Sequence, residues 1–202
     1  SYARDLSVVG HEFTHGVIQY SGGLKNTKEA GAINESIADV FACMIIQYYG
    51  WRDGQFPATP TRQQAGEATW RVGEFLFKKT HPYYQDGMAV RSLKAPGTAY
   101  DHKILKKDDQ PAHLDGYVQN KGPWHNCSIP GHTFYLLATA LGGYSWEKAG
   151  QIWYNALLNN RDPEVDFKNW AKLTVREARK LFGKNDPAFE ETKRAWEQVG
   201  VL

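Results

Sequence analysis

At 202 residues the chain is long enough to bury one substantial core, and residues 1–202 are expected to form a single domain. Its 42% hydrophobic and 23% charged content is that of a folded globular protein, and a formal net charge of +2, with both signs mixed in the densest runs, gives no basis for a nucleic-acid or membrane-surface partner. No apolar run reaches membrane-spanning length, and two cysteines, Cys43 and Cys127, outside any C-x-x-C pattern, cannot build a disulfide framework.

The first predicted element is "SVVGHEFTHGVIQY", from Ser7. Apolar residues at Val8, Val9, Phe13, Val17, Ile18 and Tyr20 predict a helix with a wide buried face. His11 and His15 stand four apart, so a helix stacks both imidazoles on one side. That geometry suits zinc, which takes imidazole nitrogens at roughly 2.0–2.1 Å. Glu12 lies about 100° further round, beside such an ion rather than on it, where a carboxylate can take a proton from water that the metal has acidified.

"SGGLKNTKEAG" carries three glycines and is predicted as a loop. "AINESIADVFACMIIQYYG" follows with helical spacing of Ile33, Ile37, Val40, Phe41, Met44 and Ile45, and with Gly50 as its stop. A peptidase-type zinc needs a third protein ligand and an open fourth position, and Glu35 on this second helix is the candidate third ligand. Asn34 and Asp39 are placed to hydrogen-bond the far nitrogens of the two imidazoles.

"RDGQFPATPTRQQAG" is turn-rich, and "EATWRVGEFLFKK" reads as a short helix or an extended segment. Residues 80–129 show no steady period, which in a compact domain points to a binding wall. Helical patterns return in "GHTFYLLATALGG", in "SWEKAGQIWYNALLNN" with Ser145 as N-cap, in the segment from Asp166 to Gly183, and in "DPAFEETKRAWEQVG", where Asp186 precedes a first-position proline. Strand signals are almost absent, so the expected fold is mainly α.

"VVGHEFTH" followed by "GAINESIAD" resembles the thermolysin-type neutral zinc metallopeptidases, whose pattern is H-E-x-x-H and then G-x-x-N-E-x-x-x-D. The likeness continues through "VRSL" at Val90, "YDH" at Tyr100, "SIPGHTFYLLA" at Ser128 and the closing "AWEQVGV", with an apparent insertion between Gly50 and Arg91. The resemblance implies the helical carboxy-terminal lobe of a zincin-type peptidase, with the zinc helix at its amino-terminal end. It implies one catalytic Zn2+ held by His11, His15 and Glu35, Glu12 as general base, Asp39 orienting His11, Asn34 supporting the other ligating side, and Arg91 contacting the substrate backbone. It further implies a peptide or protein substrate, an extracellular setting, and an amino-terminal β-rich lobe as the missing wall of the cleft.

Three departures accompany the likeness. The family's oxyanion-stabilising histidine stands in H-x-N-S-G-I-P, whereas this chain has "GPWHNCSIPG". Counting forward from Gly122 places His125 there and counting back from Ile129 places Trp124; the need for a hydrogen-bond donor favours His125. The family's tyrosine falls at Asn26, and at the paired calcium positions Ser7, Ile46 and Arg71 replace acidic residues, with only Glu74 retained, so a calcium cage is not expected. Two functions stay open at this level: a zinc endopeptidase or its catalytic lobe, and a catalytically silent zinc-binding homologue acting as a binding module.

Overall fold

The first long helix, α1 (Leu6–Ser21), starts where its N-cap lets it: the Asp5 carboxylate accepts from the Ser7 backbone N–H at 2.8 Å and so satisfies an orphan donor of the first turn. The computed structural model describes residues 2–51, 55, 57–77 and 79–202; parts of the turn-rich stretch after Trp51, within the apparent insertion, lie outside the described residues. The predicted wide apolar face of α1 is not the face it buries. Val9, Phe13 and Tyr20 are exposed, Phe13 at 72% and Tyr20 at 89%, while Ser7, Gly10, His11, Thr14 and Ile18 point inward. The reason is close helix packing: a Cβ on Gly10 would lie 3.0 Å from Ile45 Cδ1 and 3.4 Å from Ala42 Cα, so only small residues fit along that seam.

Its partner, α2 (Lys28–Tyr49), begins earlier than the glycine pattern suggested, since Lys28, Glu29 and Ala30 are good helix formers that extend it back to the Thr27 N-cap. It is buried on nearly all sides from Ala30 to Cys43 and stops at Gly50, whose φ of 66° is the left-handed conformation of a C-cap. This central helix carries Asn34, Glu35 and Asp39 against α1.

The turn-rich middle of the chain does hold short regular elements. β1 (Arg71–Val72) pairs antiparallel with β2 (Arg91–Ser92) in the register Val72↔Arg91, and β3 (Asp101–His102) pairs with β4 (Lys106–Lys107). A 3-10 turn covers Glu74–Leu76, so the predicted choice between helix and extended chain resolves into one of each. A short helix, α3 (Pro123–Asn126), leads into α4 (Ser128–Leu141).

The carboxy-terminal half is helical: α5 (Lys148–Asn159), α6 (Phe167–Phe182) and α7 (Pro187–Gln198). Asp166 caps α6 by accepting from Asn169 N at 2.7 Å, and Asp186 caps α7 ahead of Pro187. Ser145 does not cap α5; it is buried and donates to Gln47 Oε1 at 2.5 Å, and the helix starts after Glu147. Tryptophans dominate the core these helices share. Trp153 and Trp196 stack at 6.0 Å, Phe134 meets Trp153 edge-on at 5.2 Å, and Trp196 Nε1 donates to Thr174 Oγ1 at 2.8 Å. Burying each such aromatic contributes roughly 1.5–3 kcal/mol or more, which fixes α4 to α7 as the rigid backing for α2.

Candidate metal centre

The helical repeat brings His11 and His15 to one face of α1, with ring centroids 4.6 Å apart and Nε2 atoms 3.0 Å apart. Glu35 comes from α2, with Oε2 3.4 Å from His11 Nε2 and Oε1 3.6 Å from His15 Nε2. One ligand atom from each residue can be chosen so that all lie within 4.8 Å of one another. The side chains are 8%, 28% and 3% exposed in the order His11, His15, Glu35, so the cluster opens on the His15 side.

Each Nδ1 is committed. His11 Nδ1 lies 2.8 Å from Asp39 Oδ1, and His15 Nδ1 lies 2.9 Å from Asn34 Oδ1. The Asn34 orientation follows from its other end, because Nδ2 donates to the Leu24 carbonyl at 3.1 Å and the oxygen must then face the imidazole. Both rings therefore donate through Nδ1, and an unprotonated ring turns its Nε2 lone pair inward. With both rings unprotonated, two lone pairs and a carboxylate converge on one point. Glu35 Oε2 is buried there without a hydrogen-bond partner, a state that costs about 1–3 kcal/mol or more unless something positive sits beside it. The donor set fits zinc: two imidazoles and one carboxylate, with the far nitrogens held in place.

The field at this point favours positive charge. Burial depresses the His11 pKa, but the hydrogen bond to Asp39 and the Glu35 carboxylate beside the ring outweigh it and raise it to about 9. Burial likewise opposes ionisation of Asp39, yet the Arg91 charge and the bonds from His11 and Arg91 hold its carboxyl down at about 2. Arg91, carried in by β2, grips Asp39 with Nε to Oδ2 at 2.6 Å and a second nitrogen to Oδ1 at 2.7 Å. Burial disfavours the guanidinium charge, but Asp39 more than restores it and raises the Arg91 pKa. Two of the five guanidinium donors are used in this way.

Glu12 is exposed on α1, next in sequence to His11. His125, on α3, is buried, with Nδ1 3.4 Å from Asp109 Oδ1, and Lys121 holds the other Asp109 oxygen. Burial and the Lys121 charge push the His125 pKa down despite Asp109, which favours a neutral imidazole. Trp124 is 58% exposed, and its carbonyl accepts from Gln110 Nε2. The structure thus brings His11, His15, Glu35, Asn34, Asp39 and Arg91 into one bonded cluster. It gives His125 a separate set of partners, Asp109 and Lys121, which sequence reasoning did not single out.

Asn26 sits with His15, Gln19, Gly23, Leu24 and Asn34 around a cleft of about 300 Å³. At the calcium positions, the Ser7 hydroxyl donates to Asp5 and accepts from Gly73 N, while Ile46, Arg71 and Glu74 line another cavity of about 660 Å³, with Arg71 3.5 Å from Glu74. A guanidinium therefore stands among carboxylates where a cage of oxygens would have to form.

Fold and cluster together define a class: a mainly helical domain carrying a candidate His, His, Glu metal centre. The description of the thermolysin metallopeptidase α-helical domain matches residues 22–201, and the chain belongs to that family. The chain is 41% identical to protease PrtS of Photorhabdus sp. (strain Az29), over all of this chain and 52% of that protein. It is also 41% identical to an extracellular metalloprotease of Pectobacterium carotovorum subsp. carotovorum, over 97% of this chain and 53% of the relative. Among solved structures, the precursor of protealysin, a metalloproteinase from Serratia proteamaculans, superimposes with a TM-score of 0.84 at 40% identity, covering 97% of this chain and 57% of that one. The chain spans about half the length of these relatives. His11 and His15 precede the matched family segment, but the alignment with PrtS, which takes in the whole chain, includes them.

Proposed function

We propose that the chain is the metal-holding helical lobe of a zinc endopeptidase, in which His11, His15 and Glu35 bind one Zn2+. The observation that carries this reading is the approach of the two Nε2 atoms to the two oxygens of the buried Glu35 carboxylate, of which Oε2 has no hydrogen-bond partner. Bound zinc supplies Lewis acidity, polarising a peptide carbonyl and acidifying water. Glu12 holds the proton taken from the attacking water at its carboxylate and returns it to the leaving amine nitrogen. Asp39 and Asn34 keep both imidazoles turned the right way. Arg91, through donors that Asp39 does not occupy, binds the substrate backbone, and His125 donates a hydrogen bond to the oxygen on which negative charge develops. The substrate is a peptide or protein. The chain spans about half of its relatives' length, and this reading supplies a partner lobe that would meet the exposed apolar face of α1 with Val9, Phe13 and Tyr20. An extracellular setting follows the names of relatives such as the Pectobacterium protease.

Asn26 and the displaced Trp124 support a second reading, a silent zinc-binding module. Glu12 speaks against it, since a structural zinc has its fourth position closed and needs no base. Elemental analysis tests the metal: wild type should hold one zinc per chain and His15→Ala should hold far less, whereas equal content in both would remove the site. In the full-length peptidase, Glu12→Gln should keep zinc yet lower hydrolysis of a quenched peptide by about two orders of magnitude or more. Unchanged turnover would leave Glu12 without a role.

A further inference from the structure

We propose that Gln19 and Asn26 form a side-chain subsite beside His15 that selects an uncharged amide side chain, glutamine or asparagine, in a bound peptide. The inference rests on the reading of His15 as part of a centre at which a peptide is held. Gln19 follows His15 by one helical turn on α1, and Asn26 lies just beyond the end of that helix; both are exposed and line the same cleft of about 300 Å³. That volume is at the lower end for a ligand site and suits a single side chain.

Among the described residues neither amide has a hydrogen-bond partner, whereas the third amide of the cleft, Asn34, spends its oxygen on His15 and its nitrogen on Leu24 O. Gln19 and Asn26 thus offer both donors and acceptors, and Asn34 forms a fixed wall. Besides His15, whose Nδ1 is committed to Asn34, no titratable residue among the described ones lines this cleft, so no aspartate, glutamate, lysine or arginine offers a charged side chain a partner there. An apolar side chain would strip water from two amides and leave them unpaired. A carboxamide can exchange donor for acceptor with each of them. Gly23, at φ 59°, presents bare backbone on which a Cβ would touch nothing within 4 Å, which leaves room for the incoming group.

The test uses the whole chain labelled with ¹⁵N, titrated with acetyl-Ala-Gln-Ala-amide and with acetyl-Ala-Leu-Ala-amide, while side-chain NH₂ signals are followed by NMR. The glutamine peptide should shift the Gln19 and Asn26 signals and bind about fivefold to tenfold more tightly than the leucine peptide, the discrimination expected of about one net hydrogen bond. The double variant Gln19→Leu, Asn26→Leu should lose that preference with its circular dichroism and zinc content unchanged. Equal or tighter binding of the leucine peptide, or a glutamine peptide that leaves both signals in place, overturns the subsite. Zinc content of wild type is read on the same sample: its absence defeats the metal reading, and its presence without a glutamine preference defeats the subsite alone.

Discussion

The two imidazoles of the centre are held by unlike surroundings. His11 is buried and backed by a charged chain, Arg91 to Asp39 to Nδ1, with every link between 2.6 and 2.8 Å. His15 is 28% exposed and backed by a neutral one, the Asn34 amide resting on the Leu24 carbonyl. A carboxylate partner makes an imidazole a stronger base and ligand than an amide partner does. The difference teaches a division of labour: the His11 side anchors, and the His15 side, facing the cleft, is free to accommodate what binds.

The harshest way to break that contrast is Asp39→Ala. It strands the Arg91 guanidinium in the interior and removes the acceptor of His11, and loss of one partner of a buried pair costs about 3–5 kcal/mol. Denaturant unfolding of the metal-free chain should show it, and a loss below about 1 kcal/mol would mean the charged chain is not a structural anchor.

Zinc affinity sharpens the contrast next. Asp39→Asn, similar in shape but uncharged, should weaken zinc binding about 10–100-fold in a chelator competition. Asn34→Ala should weaken it less, since the lost partner is neutral and water can reach the half-exposed His15 ring. Equal losses would erase the asymmetry.

The pH response of the metal-free chain sharpens the contrast further. Because the folded state raises the His11 pKa from 6.5 to about 9, the stability it contributes is complete below pH 6.5 and is lost as pH rises through about 9. Asp39 works in the opposite sense: its pKa falls from 3.8 to about 2, so its contribution is present above pH 3.8 and is lost as pH falls through about 2. Melting temperatures should therefore decline on both sides of the interval between about pH 4 and pH 6.5. Zinc, by displacing the His11 proton, should flatten the alkaline limb; an alkaline limb that zinc leaves unaltered would disconnect His11 from the metal.

What could be read from the sequence was what helix periodicity dictates. Four-residue spacing places His11 over His15, and the same rule sets Glu35 and Asp39 on one face of α2, so the meeting of these residues with Asn34 required only that two neighbouring helices pack. The mainly helical class was legible for the same reason and the family resemblance from the coupled motifs, and the family match bears both out. Periodicity misled at Val9, Phe13 and Tyr20, where apolar spacing indicated a buried face but the tight seam at Gly10 admits only small groups. Ser145 matched a cap preference, yet its hydroxyl is taken by Gln47, 98 positions away. The grip of Arg91 on Asp39 and the hold of Asp109 on His125 also join distant positions through β2 and an irregular segment, and local pattern carries no signal for such pairs.

The Asp5 carboxylate has a consequence beyond capping. It takes the Ser7 N–H and hydroxyl through one oxygen and the Phe75 N–H through the other at 2.7 Å, and Gly73 N in turn donates to Ser7 Oγ. The first turn of α1, one turn before His11, is thereby locked to chain about 70 residues downstream. Breaking any one of these bonds loosens the others, so the amides of Ser7, Gly73 and Phe75 should exchange their hydrogens at a common rate, as one cooperative unit. A protease that nicked the chain near residue 75 would loosen the start of the helix that presents both histidines.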